Sequence, residues 1–209
     1  MSKKETIHLA IYDTMSDWQV SYVIAFINSP EFQKKPGQFQ VKTIADSLEP
    51  VVSKGGLRVL PDLSLNMLEP KDSRMLILPG GYITAKGDVE GFVEMAQRYL
   101  TAHVPVAAIC GATAALAKFG LLDEVPHTSN SKTYLEALGY KGGKHYQDQL
   151  AFTSGNLITA SGVAPIEFAI EIFRKLDIYS DKTLQAWYKL YKSQDSQGFY
   201  ELLEEHPNA

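Results

Sequence analysis

The sequence predicts an α/β fold: a three-layer sandwich with a mostly parallel sheet and helices on both faces. Two observations carry this. Short apolar or alternating runs take turns with segments of helical spacing, the pattern of a parallel sheet covered on both sides. Several of the runs also stop at glycine or at small residues, where strands turn into helices. At 209 residues the chain has room for one substantial core.

Taken in order, "IHLAIY" (7–12) reads as the first strand and 17–28 as the helix after it, with Ser16 as its N-cap. Residues 39–45 form the second strand. Two β-branched pieces around Gly55-Gly56, within 49–62, make a hairpin. "RMLILPGG" (74–81) is a buried strand ending in a glycine pair, and 91–103 is helical. "VPVAAI" (104–109) is another buried strand, followed by a helix from 111 that Gly120 stops. A short helix over 132–139 ends at Gly139. Strands at 150–155 and 157–162 join through Gly155-Asn156. A helix over 164–177 carries Pro165 in its first turn. Extra C-terminal helices over about 180–205 carry an aromatic stripe that serves packing, onto the sheet or a partner subunit, with a break near 196–198. Without repeats or a linker, 1–209 reads as one domain.

Composition excludes several classes. The net charge is −4 and no Lys/Arg cluster stands out, which argues against nucleic acid. One cysteine permits no internal disulfide and no Cys-rich zinc site, and no His/Asp/Glu cluster has metal-ligand spacing, so no metal or cofactor is assigned. No run approaches the ~18 apolar residues of a membrane helix, and the N-terminus does not read as a signal peptide. A soluble, cytoplasmic homodimer with a small-molecule or peptide substrate is expected.

That single thiol, Cys110, falls on the predicted strand-to-helix corner. Such corners are strained and need small neighbours two residues away; here these are Ala108 and Ala112. The helix that follows favours a thiolate through its dipole and unpaired N–H groups. The N–H of Gly111 is then available to an oxyanion, and the Gly80-Gly81 pair offers a second donor. A buried structural cysteine is the competing account.

The segments "LILPGG", "VAAICGATAALAKFGLLD" and "NLITASGVAPIEFAIEIF" resemble the ThiJ/PfpI superfamily, of class I glutamine amidotransferase-like (flavodoxin-like) fold, over residues ~5–177. The resemblance implies Cys110 as nucleophile and Gly81 and Gly111 as oxyanion-hole positions. The superfamily includes peptidases, chaperones, glyoxalase- or deglycase-type enzymes, isonitrile hydratases and oxidative-stress sensors, so it implies no single substrate. Members usually place a Glu or Asp early in the first helix; here Gln19 stands there, with Asp17 two residues before it. Gln19 can hold the sulfur but cannot shuttle a proton. Asp17 either substitutes for the acid or stabilises the helix end. Many members carry a histidine after the elbow helix; here Asn130 aligns, with His127 three residues earlier. In an extended segment these two face opposite ways, so only one meets the thiol. His127 is a base if its loop turns inward, otherwise a loop residue. The residue after the cysteine is Gly111 rather than the peptidase histidine, and no histidine is followed by x-Glu, which disfavours glutaminase chemistry. His145 and Glu167 take structural roles. The expectation is a cofactor-independent cysteine hydrolase or lyase acting on a small carbonyl or amide, in a stress response. The rival is a non-catalytic redox sensor or chaperone that uses oxidation of Cys110.

Overall fold

The computed structural model describes residues 4–82, 84 and 89–206. Strands β1 (Glu5–Ala10), β2 (Phe39–Ala45), β5 (Leu63–Ser64), β6 (Met75–Leu78), β7 (Val106–Ile109), β8 (Ala151–Ser154) and β9 (Leu157–Ala160) form one sheet in the order β5-β2-β1-β6-β7-β9-β8. All neighbours run parallel except β8 and β9. A separate antiparallel hairpin joins β3 (Val51–Val52) to β4 (Arg58–Val59). Every residue of β6 and β7 is buried, as expected of central parallel strands covered on both faces.

The helices are α1 (Ser21–Asn28), α2 (Glu90–Thr101), α3 (Gly111–Lys118), α4 (Lys132–Glu136), α5 (Pro165–Lys175), α6 (Asp181–Lys192) and α7 (Gln197–Glu205). From β1 the chain moves outward to β2, then returns to β6 and continues the other way. Right-handed crossovers therefore put α1 and α2 on opposite faces. The contacts agree: α1 packs with α5, and α2 with α3. The direction reverses between β1 and β6, and the carboxyl ends of strands at such a switch point are where a binding crevice opens. No helix among the described residues is long and apolar enough to cross a membrane.

Four details differ from the sequence expectation. The helix expected from residue 17 begins as a single 3-10 turn, Asp17–Gln19, and α1 starts only at Ser21. Ser16 makes no side-chain cap; its N–H instead donates to the Gly80 carbonyl at 2.7 Å. Two-residue β5 was not anticipated, because a pair of residues shows no periodicity. Of the C-terminal aromatics, Trp187 packs onto helices rather than the sheet, edge-on to Phe26 of α1 and Phe173 of α5, while Phe199 and Tyr200 are exposed.

One core residue makes the fold sensitive to acid. His8 on β1 is 3% exposed, lies in register with Lys42 on β2, and its Nδ1 has no partner among the described residues. Burial, aided by the Lys42 charge, lowers its pKa to about 4. The unfolded chain protonates this imidazole near pH ~6.5 and the folded protein only near the lower value. Stability from this group is therefore complete above the unfolded pKa and drains as pH falls toward about 4. The expected loss is up to about 3 kcal/mol. Urea midpoints at pH 7 and pH 4.5 check this: His8→Leu should show a shallower decline than wild type, and parallel declines would exclude His8 as the source.

Candidate active site

Strand β7 ends at Ile109, and α3 begins at Gly111. Between them Cys110 has φ 60° and ψ −125°, a conformation that costs a residue with a Cβ about 1–3 kcal/mol. Surrounding bonds hold it there. Its N–H donates to Ala160 O at 2.9 Å, and its carbonyl accepts from Thr113 N at 3.1 Å and Thr113 Oγ1 at 2.6 Å. Ala108 and Ala112 on either side are buried and small.

Two glycines make room for the thiol. A Cβ on Gly80 would lie 2.7 Å from Cys110 Cβ, and one on Gly162 would lie 2.6 Å from Cys110 Sγ. No side chain fits at either position without displacing the cysteine. Sequence reasoning noted Gly80 but missed Gly162, whose only signal is its place just beyond β9.

The sulfur is flanked by amides. Asn130 Nδ2 donates to Sγ at 3.6 Å, while its Oδ1 accepts from Gly162 N–H at 2.8 Å. Gln19 is 1% exposed, and its Oε1 accepts from Gly80 N–H at 2.8 Å. The same added Cβ on Gly80 or Gly162 that would meet the sulfur would also meet the Gln19 amide, so that amide lies alongside the thiol. Gly111, as the first residue of α3, has an N–H with no acceptor inside the helix. Gly81 lines the cleft, but its N–H points at Thr84 Oγ1 over 3.2 Å, and that hydroxyl donates back to Gly81 O at 2.6 Å. The second donor expected for an oxyanion is therefore free only when that long bond opens. Two phenols also sense the site: burial, and then the charge of Cys110, raise the pKa values of Tyr12 and Tyr134.

Two of the residues singled out from sequence are held elsewhere. Asp17 is a fastener for the β3–β4 hairpin, not an acid beside the thiol. Its carboxylate accepts from Ser53 Oγ, from Gly55 N–H at 2.8 Å and from Trp18 N–H at 2.9 Å, and the Ser53 bond leads in holding its pKa below the usual range. The bond from Trp18 N–H keeps the helix-end role as well, since Asp17 is the acid in the first turn of the 3-10 helix. His127 is fully buried and does not turn toward the sulfur. Its Nδ1 is 2.7 Å from Val125 O, its Nε2 is 3.4 Å from Tyr140 Oη, and its ring packs edge-on against Tyr140 and Tyr146. Burial lowers its pKa, which suits a neutral packed imidazole. His145 lies 3.5 Å from Glu124, and Glu167 pairs with Lys192 at 2.6 Å.

The sulfur faces a cleft of about 360 Å³. Gln19, Cys110, Asn130 and Gly162 line it together with Trp18, Lys54, Tyr82 and Val163. Among the described residues no His, Cys, Asp or Glu side chains gather as a metal-binding group.

The profile of the DJ-1/PfpI family matches residues 5–175. A Bacillus subtilis protein named uncharacterized protease YoaZ is 38% identical over 200 residues, covering 94% of this chain and 95% of the relative. The glutathione-independent glyoxalase DJR-1.2 of Caenorhabditis elegans is 28% identical over 144 residues, covering 68% of this chain and 75% of the relative. The crystal structure of a thiJ/pfpI family protein from Bacillus anthracis superimposes with a TM-score of 0.89 at 38% identity, covering 97% of this chain and 98% of the other.

Proposed function

The chain belongs to the DJ-1/PfpI family, and from that premise we propose that it is a cysteine-dependent hydrolase or lyase acting on a small carbonyl or amide compound. The observation that carries this reading is the strained elbow. A cysteine held at φ 60° at the start of a helix and walled by two glycines is built to present sulfur, not to fill a core. Relatives named as a protease and a glyoxalase fit chemistry of this general kind.

In the proposed reaction the Cys110 thiolate attacks a carbonyl carbon. A C–S bond forms and the carbonyl electron pair moves to oxygen, where Gly111 N–H stabilises it. On an amide, collapse of the adduct expels an amine that takes its proton from water, and water then releases the acyl group from sulfur. Asn130 and Gln19 orient the sulfur and neither carries the proton. Steady-state assays against dicarbonyls, amides and peptides, with Cys110→Ala as control, test the proposal. Turnover that survives Cys110→Ala, or none with any of these substrates, overturns it.

The flanking amides favour one second reading, in which Cys110 is a redox sensor. Two peroxide molecules would oxidise the thiolate to a sulfinate with release of two waters, and the amide donors would hold its oxygens. Gln19→Glu separates the two. A carboxyl group there keeps the bond to Gly80 N–H and adds a group able to relay a proton beside the sulfur. For an enzyme, turnover should rise about ten-fold, short of the roughly 10²–10⁴-fold of a fully positioned acid–base group, and its pH profile should gain an ionisation. For a sensor, only the yield of sulfinate under peroxide should change, read by intact mass. If neither shifts, residue 19 plays no part in the chemistry.

A further inference from the structure

Among the described residues, the cleft around Cys110 is lined by one cation and by no carboxylate. Lys54, in the turn of the β3–β4 hairpin, has its backbone anchored by donation to Met15 O at 2.8 Å. Its ammonium lies 5.1 Å from the ring centre of Trp18 and 4.8 Å from that of Tyr82. Two aromatic faces thus hold this charge in place at the opening, where a free lysine would sweep through solvent. Both rings are exposed, Trp18 at 43% and Tyr82 at 59%, so the ammonium sits at an open mouth. Among the described residues Lys54 forms no ion pair. The acid of the 3-10 turn, Asp17, forms no ion pair with Lys54, and its carboxylate accepts from Ser53 and Gly55.

A fixed cation with no ion pair among the described residues, at the mouth of a cleft whose other described polar side chains are neutral, attracts an anionic group on whatever approaches the sulfur. We propose that Lys54 determines the specificity of the Cys110 cleft, selecting small electrophiles that carry a carboxylate, such as 2-oxo acids, over their neutral counterparts. This rests on the nucleophilic reading of Cys110 and deepens it by naming the substrate class.

Iodoacetate and iodoacetamide test the proposal, because the thiolate displaces iodide from each to form the same S–CH₂ bond. The two reagents differ only in a carboxylate against an amide. In wild type at low ionic strength, the ratio of the iodoacetate rate to the iodoacetamide rate should exceed that in Lys54→Met by about five-fold, the upper range for a partly exposed charge pair. Methionine keeps an apolar stem between the rings, so the mouth retains its shape. Lys54→Arg should restore the ratio, and added salt should erode it in wild type. An equal ratio in wild type and Lys54→Met overturns the proposal. So does a parallel fall of both rates, which would make Lys54 a packing residue. The nucleophilic reading fails separately, if wild-type Cys110 reacts with iodoacetamide no faster than free cysteine. Even then the ratio reports on the cation.

Discussion

Gly162→Val is expected to slow alkylation of Cys110 by about 100-fold, equivalent to about 2.7 kcal/mol of barrier, while the protein stays folded. Gly162 is buried beyond the end of β9, and its N–H is held by Asn130 Oδ1 at 2.8 Å. Its φ is not in the left-handed region, so no strain of that kind opposes a side chain there. The penalty comes from space. The first carbon of any side chain would lie 2.6 Å from Sγ, 2.9 Å from Cys110 Cβ and 3.1 Å from Gln19 Nε2. Either the thiol rotates out of its position or the loop moves away and releases Asn130 from the sulfur. Both remove the arrangement that presents the sulfur. Overpacking of this kind costs about 1–3 kcal/mol of stability, which a protein of this size survives. Iodoacetamide rates by intact mass, together with urea midpoints, separate the effects. Gly162→Ala should fall between wild type and Gly162→Val. An unchanged rate in Gly162→Val would mean that Gly162 does not wall the site.

The elbow was legible in the sequence because every feature that makes it is local: apolar strand, one thiol, small neighbours, helix. The crevice followed once the strands were ordered, since the loops after β1, β6 and β7 meet where the order reverses. What sequence did not reveal depends on partners far along the chain. Asp17 looked like a helix-start residue, yet a hairpin 36 positions later captures its carboxylate. The alternation between His127 and Asn130 allowed one of them at the sulfur, and no local pattern told which. The Val125 carbonyl and two tyrosine rings hold the histidine, while Gly162 N–H holds the asparagine. Lys54 is unremarkable as sequence. It becomes distinctive only when the hairpin places it between Trp18 and Tyr82.

Trp187→Ala should destabilise the protein by about 3–5 kcal/mol, the usual range for deleting a large buried aromatic. The family profile ends at residue 175, so α6 and α7 lie beyond the matched region, yet Trp187 of α6 is 2% exposed. Its ring centre lies 5.2 Å from Phe26, 5.6 Å from Tyr22, 5.6 Å from Phe173 and 4.7 Å from Tyr191. Two of those rings belong to α1 and one to α5, so a single side chain ties the C-terminal helices to the layer that covers the sheet. Truncation removes both the area buried and the edge-to-face contacts, and rigid strand-backed helices leave little freedom for collapse into the hole. Trp187→Phe should cost far less, about 1 kcal/mol, because it keeps a ring in the cluster. It also deletes an indole N–H that finds no acceptor among the described residues. The site should follow in a defined way. Gln19 clamps Gly80 from the turn that leads into α1, so loosening the far side of α1 lowers stability first, and the Cys110 alkylation rate should hold until the protein unfolds. Urea denaturation of both variants measures the first effect, and iodoacetamide rates below the transition measure the second. A loss under about 1 kcal/mol in Trp187→Ala would show that α6 is only loosely attached. A thiol rate that falls before unfolding would instead place the aromatic cluster in control of the site.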